Sequence, residues 1–122
     1  MKVYLIAIST EINGLPAHID AKEKQRQMRN LAEQYGYGYN DLMDFTGDKL
    51  TTIKLAINYV KNLKMYSAIW IYSRKDLFHI DPFMAFKIER YCKENQVKLY
   101  YYDELYDYYM KGHYDDSTDF LP

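Results

Sequence analysis

Residues 3–10 read VYLIAIST, six apolar positions in succession followed by a serine and a threonine. A short, unbroken apolar run of this kind, rich in β-branched residues and stopped by small polar ones, marks a strand covered on both faces. The same pattern returns at residues 66–72, YSAIWIY. Two weaker strands are expected at residues 39–45, where Asn40 and Asp41 interrupt the pattern, and at residues 97–102.

Helical periodicity fills the intervals. From Ala21 to Tyr35, Met28, Leu31, Ala32 and Tyr35 fall on one face, with Lys and Gln residues opposite and Gly36 and Gly38 as stops. From Lys49 to Leu63, the inward positions are Ile53, Ile57, Val60 and Leu63. Asp81-Pro82 reads as the N-cap and first position of a third helix, along which Phe83, Phe86, Arg90 and Tyr91 follow at helical spacing. A short last helix is expected from Leu105 to Lys111, stopped by Gly112. Residues 11–20, with Asn13-Gly14 and Pro16, read as a loop, residues 46–48 as a turn, and residues 73–79 (SRKDLFH) as a polar loop.

The order β-α-β-α-β-α-β-α predicts a three-layer α/β/α domain with a four-stranded, mainly parallel sheet. We place this domain at residues 1–103, followed by an acidic, tyrosine-rich segment at residues 104–122. In such sheets ligands bind beyond the carboxyl ends of the strands. Ser9-Thr10 and Ser73-Arg74-Lys75 both lie at such ends, so the topology predicts a shared crevice.

Bulk properties narrow the classes. The chain has 122 residues, 48% of them hydrophobic, enough for one core without disulfides or metal. The single cysteine, Cys92, has no internal partner, which predicts a reducing, cytoplasmic setting. No apolar run approaches the length of a membrane span, so no membrane association is expected. His18, His79 and His113 are scattered and Cys92 stands alone, so neither a metal nor a cofactor is expected. The glycines follow a helix rather than a strand, unlike a dinucleotide fingerprint. Residues 101–122 hold six acids and one base against a net charge of −1 for the whole chain, so the remaining body carries +4. The stretch YYYDELYDYYMKGHYDD interleaves acids with tyrosines, as a segment that binds a basic partner would.

The pieces resemble, in order and spacing, the catalytic domain of serine recombinases, the resolvase and invertase family. LIAIST ends as that family's first strand ends, and places Ser9 at the position of its DNA-attacking nucleophile. QMRNL, residues 27–31, matches the family's glutamine motif at Gln27. DFTG, residues 44–47, resembles the turn after its second strand, and RKDLFH, residues 74–79, lies where its third strand runs into an Asp-Arg pair and a further arginine. The resemblance covers residues 2–103 and implies the resolvase-like fold. The chain also departs from the pattern. The family's arginine two residues before the serine falls on Ala7, its Asp-Arg pair on Lys75 and Asp76, its next arginine on His79, and GDKLTTIK offers no match for another. Those arginines neutralise the scissile phosphate in the family, and removing even one preorganised donor costs about a hundredfold or more in rate. Residues 104–122 offer no counterpart to the family's long dimer-building helix or its helix-turn-helix domain, and their acids oppose DNA, whose binding rests on Lys and Arg.

The expectation is therefore a resolvase-like protein without competent recombinase chemistry, with Ser9 and Gln27 as remnants of the catalytic set. It would act by protein contact, through Tyr106, Tyr108, Tyr109 and Tyr114, on a recombinase or another basic nucleic-acid-binding factor. Autonomous DNA binding is not expected, and self-association stays open. A stand-alone relative of this kind suits a phage or mobile element. One alternative is a phosphoryl-transfer enzyme using Ser9, with Thr10, Arg74 and Lys75 holding phosphate; another is a noncatalytic nucleotide-binding module in the same crevice.

Overall fold

The computed structural model describes residues 2–8, 17–46, 50–63 and 66–112. The elements run β1 (Lys2–Ala7), α1 (Ala17–Gln34), a 3₁₀ turn (Tyr39–Asp41), β2 (Leu42–Thr46), α2 (Leu50–Leu63), β3 (Tyr66–Ile71), α3 (Arg74–Ile80), α4 (Met84–Glu94), β4 (Lys98–Tyr101) and α5 (Tyr102–Met110). The four strands pair in the order β2-β1-β3-β4, and every pairing is parallel.

The alternation of side chains along β1 builds the two halves of the core. Val3, Leu5 and Ala7 join Ala68 and Trp70 of β3 under α1 and α5. Tyr4, Ile6 and Ile8 join Ile69 and Ile71 under α2, α3 and α4. Both central strands are buried on both faces, which is why their sequences lack polar alternation. The buried stripe of α2 is Ile53, Ala56, Ile57 and Val60, close to the predicted one. That of α4 is Met84, Ala85, Ile88 and Cys92, and burial pushes the Cys92 thiol up to about 12.

Three local readings need correction. α1 already runs at Ala17, so Asp20 lies within the helix and not in a loop. Its buried stripe extends backward from Met28 through Lys24 to Asp20 at intervals of four residues, so Lys24 faces inward. SRKDLFH is a helix, not a loop. Ser73 Oγ accepts a bond from the Asp76 backbone N–H at 3.3 Å, and Leu77 is buried beneath the turn. At α4, Asp81 Oδ1 accepts from the Phe83 N–H at 2.7 Å in a local turn, and the helix starts later. Phe83 and Phe86 then face water.

α1 ends where its glycine predicts. Gly36 takes φ +94°, and the Tyr37 and Gly36 N–H groups donate to the Ala32 and Glu33 carbonyls at 3.1 and 3.0 Å. α1 is tied to β2 by Arg29, which donates to both Asp44 oxygens, and by Gln25, which donates to the Phe45 carbonyl. α5 is tied to the body by buried Leu105 and by Tyr109, whose hydroxyl donates to Gln34 Oε1 at 3.2 Å. No described helix is long and apolar enough to cross a membrane.

Candidate functional site

The chain moves one way along the sheet from β1 to β2 and the other way from β2 through β3 to β4. Right-handed crossovers then send α1 to one face and α2, α3 and α4 to the other, which opens a crevice at the carboxyl ends of β1 and β3. Ser9 and Thr10 lie outside the described residues, as does Tyr114. What the described residues place at this crevice is a buried ion cluster.

The centre of the cluster is Lys24, only 7% exposed. Its Nζ lies 2.8 Å from Asp20 Oδ2 and 2.9 Å from Asp76 Oδ2, and donates to the Ile8 carbonyl at 3.1 Å. The ring of Tyr72 lies 5.5 Å from the same ammonium. One side chain thus joins the end of β1, the start of α1 and the first turn of α3. Burying an ammonium is costly unless it is paired, and here two carboxylates share it. Burial pushes the Asp76 carboxyl upward, and Lys24 opposes that shift. The trio carries a net negative charge, so it does not attract phosphate.

A second chain of bonds leads away from the crevice. The Tyr72 hydroxyl donates to Gln27 Oε1 at 2.8 Å, and Gln27 Nε2 donates to Glu23 Oε1 at 3.2 Å. Glu23 also holds Arg26, and these two partners keep its carboxyl down at about 2. Tyr72 stacks on Tyr102, with ring centroids 5.0 Å apart. Gln27 then lines a groove of about 200 Å³ between α1 and α5, together with Arg26, Asn30, Tyr102, Tyr106 and Tyr109.

The structure thus brings Gln27 together with two of the tyrosines singled out as contact residues, Tyr106 and Tyr109. Tyr108, half-buried, lies on the same helix. Arg74 points elsewhere. Its guanidinium pairs with Glu89 and lies 5.3 Å from the Tyr101 ring, and the Tyr101 hydroxyl donates to the same carboxylate at 2.8 Å. Arg74 lines a cleft of about 450 Å³ in which Lys93 is the other cation and Glu89 and Glu104 are the acids. Lys75 is exposed on α3.

Asp20, Lys24, Tyr72 and Asp76 were not singled out from the sequence. Two signals mark three of them, Asp20, Lys24 and Asp76: the four-residue spacing 20-24-28 that continues the apolar stripe of α1, and the Ser-x-x-Asp capping pattern at residues 73–76. Together fold and crevice define a doubly wound, parallel α/β domain with a charged plug at its switch point. Compared with protein-family models, with curated proteins and with solved structures, the chain finds no match in any of the three.

Proposed function

We propose that this chain is a resolvase-like protein without strand-transfer chemistry, and that it works by contacting other proteins. The observation that carries this reading is the state of Lys24. It is the ammonium bound to the carbonyl of Ile8, the residue after β1 and before Ser9 in the chain, and two carboxylates already neutralise it. A serine attacking a phosphodiester needs cations facing the phosphate, to offset its charge and the charge that grows in the transition state. Arg29 gives the reading further support, since Asp44 holds it in a half-buried pair.

The contact surface in this reading is α5, with Tyr106, Tyr108 and Tyr109 beside Asp103, Glu104 and Asp107 and with no basic residue in the helix. Aromatic anchors ringed by one sign of charge suit a partner of the opposite sign, such as a recombinase or another basic nucleic-acid-binding factor. The catalytic half is tested with purified protein and supercoiled DNA carrying paired recombination sites. No nicked, cleaved or rejoined product is expected, and Ser9→Ala behaves as the parent does. Strand cleavage that disappears in Ser9→Ala overturns the reading in favour of a serine-dependent phosphoryl transferase.

A further inference from the structure

The side of the sheet opposite α5 also exposes large apolar side chains. Phe83 and Phe86 are 67% and 63% exposed, and Phe78 is close to half exposed. Large apolar side chains grouped in water mark a contact surface, whereas isolated ones do not. On α4 and its N-cap, Phe83, Phe86, Lys87 and Arg90 fall at i, i+3, i+4 and i+7, which is one stripe of a helix. Beside it, Lys54 of α2 sits 5.0 Å from the Tyr91 ring and closes the rim of a 260 Å³ depression.

α5 carries a stripe with the same spacing and the opposite charge: Asp103, Tyr106, Asp107 and Met110, with Met110 62% exposed. We propose that α4 of one copy docks antiparallel on α5 of a second copy. This rests on the contact reading above and goes beyond it, adding a second copy of the chain to what α5 meets. Antiparallel alignment sets Arg90 against Asp103, Phe83 against Met110, and the neighbouring Phe86 and Lys87 against Asp107 and Tyr106, so Lys87 reaches Asp107 one position away and the apolar ends meet each other. The cations already have partners, Arg90 with Glu94 and Lys87 with Asp81, but both pairs are exposed. Exposed pairs contribute little and exchange readily. Because α4 and α5 lie on opposite faces of the sheet, the contact joins different patches and leaves one free at each end, so it propagates as an open chain of copies. One helix face on another buries less than a standard interface, so the association is weak and depends on concentration and salt.

The test is light-scattering mass against concentration, at about 0.05 M and about 0.5 M salt. The parent is expected to rise above its 14.7 kDa monomer mass at low salt and to return toward it at high salt. Lys87→Glu/Arg90→Glu and Asp103→Lys/Asp107→Lys are each expected to stay monomeric alone. Mixed in equal amounts they regain the parent's mass, because each now complements the other at both contacts, and the recovery also shows that both are folded. A parent that stays monomeric throughout overturns the proposal, as does a mixture that fails to associate. Binding of a single-stranded oligonucleotide that Lys87→Glu/Arg90→Glu abolishes, in a protein that stays monomeric, also overturns it. A monomeric parent with no activity on DNA sinks this inference and leaves the contact reading standing, whereas Ser9-dependent cleavage sinks that reading whatever the mass.

Discussion

At the scale of single residues, Lys24 holds the site together. It is shared by two buried carboxylates and bound to a strand-end carbonyl. Lys24→Met takes away the ammonium that Asp20 and Asp76 share, and removing one partner of a buried ion group costs about 3–5 kcal/mol. A fall in unfolding free energy of that size, seen as a lower urea midpoint, is the expected result. Asp76 adds a pH dependence. Burial raises its folded-state pKa above the unfolded value, so the folded protein takes up its proton more readily. The stabilising contribution is complete below the unfolded carboxylate pKa and is lost as pH rises through the raised folded one. Asp76→Asn removes that dependence. Unfolding curves collected from about pH 4 to about pH 7 should show the variant gaining on the parent as pH rises, and a constant difference would contradict the assignment.

At the scale of elements, α3 shows how a short helix rests on its cap. Seven residues make few helical bonds, and Ser73 Oγ satisfies one of the otherwise unpaired backbone donors at the start. Ser73→Ala should cost about 1 kcal/mol, read as a lowered unfolding midpoint with an unchanged slope. β1 and β3 were legible because a strand buried on both faces has no polar alternation to blur it, and α2 because Ile53, Ile57 and Val60 leave one clear stripe. α3 is harder to read, because SRKDLFH is polar overall and its helical information lies in the Ser-x-x-Asp spacing and in one buried leucine, Leu77. The start of α1 was hidden in the same way. Asn13-Gly14 and Pro16 point to a loop, and the charges of Asp20 and Lys24 point to solvent. Their burial depends on Asp76, which lies far away in the chain and which no local pattern connects to them. The ion cluster was therefore the least legible part of the candidate site, although the crevice that holds it followed from strand order alone.

At the scale of the whole molecule, two half-cores share one parallel sheet, and α5 belongs to one of them. Leu105 is fully buried beside Trp70 and Ala68, so Leu105→Ala should destabilise the entire domain by about 2–5 kcal/mol. Trp70 fluorescence reports the α1/α5 side, and far-UV circular dichroism reports all layers. The two transitions should shift together, since one sheet couples both halves; separate shifts would mean that α5 detaches on its own. The second half-core contains the chain's one thiol, Cys92, buried and held protonated far above neutral pH. Thiol-directed reagents need an accessible thiolate, so maleimide dyes should pass the native protein by. A cysteine installed at an exposed position such as Asn30 would then be the sole point of attachment, giving a single-site handle for distance rulers without any need to replace the natural residue.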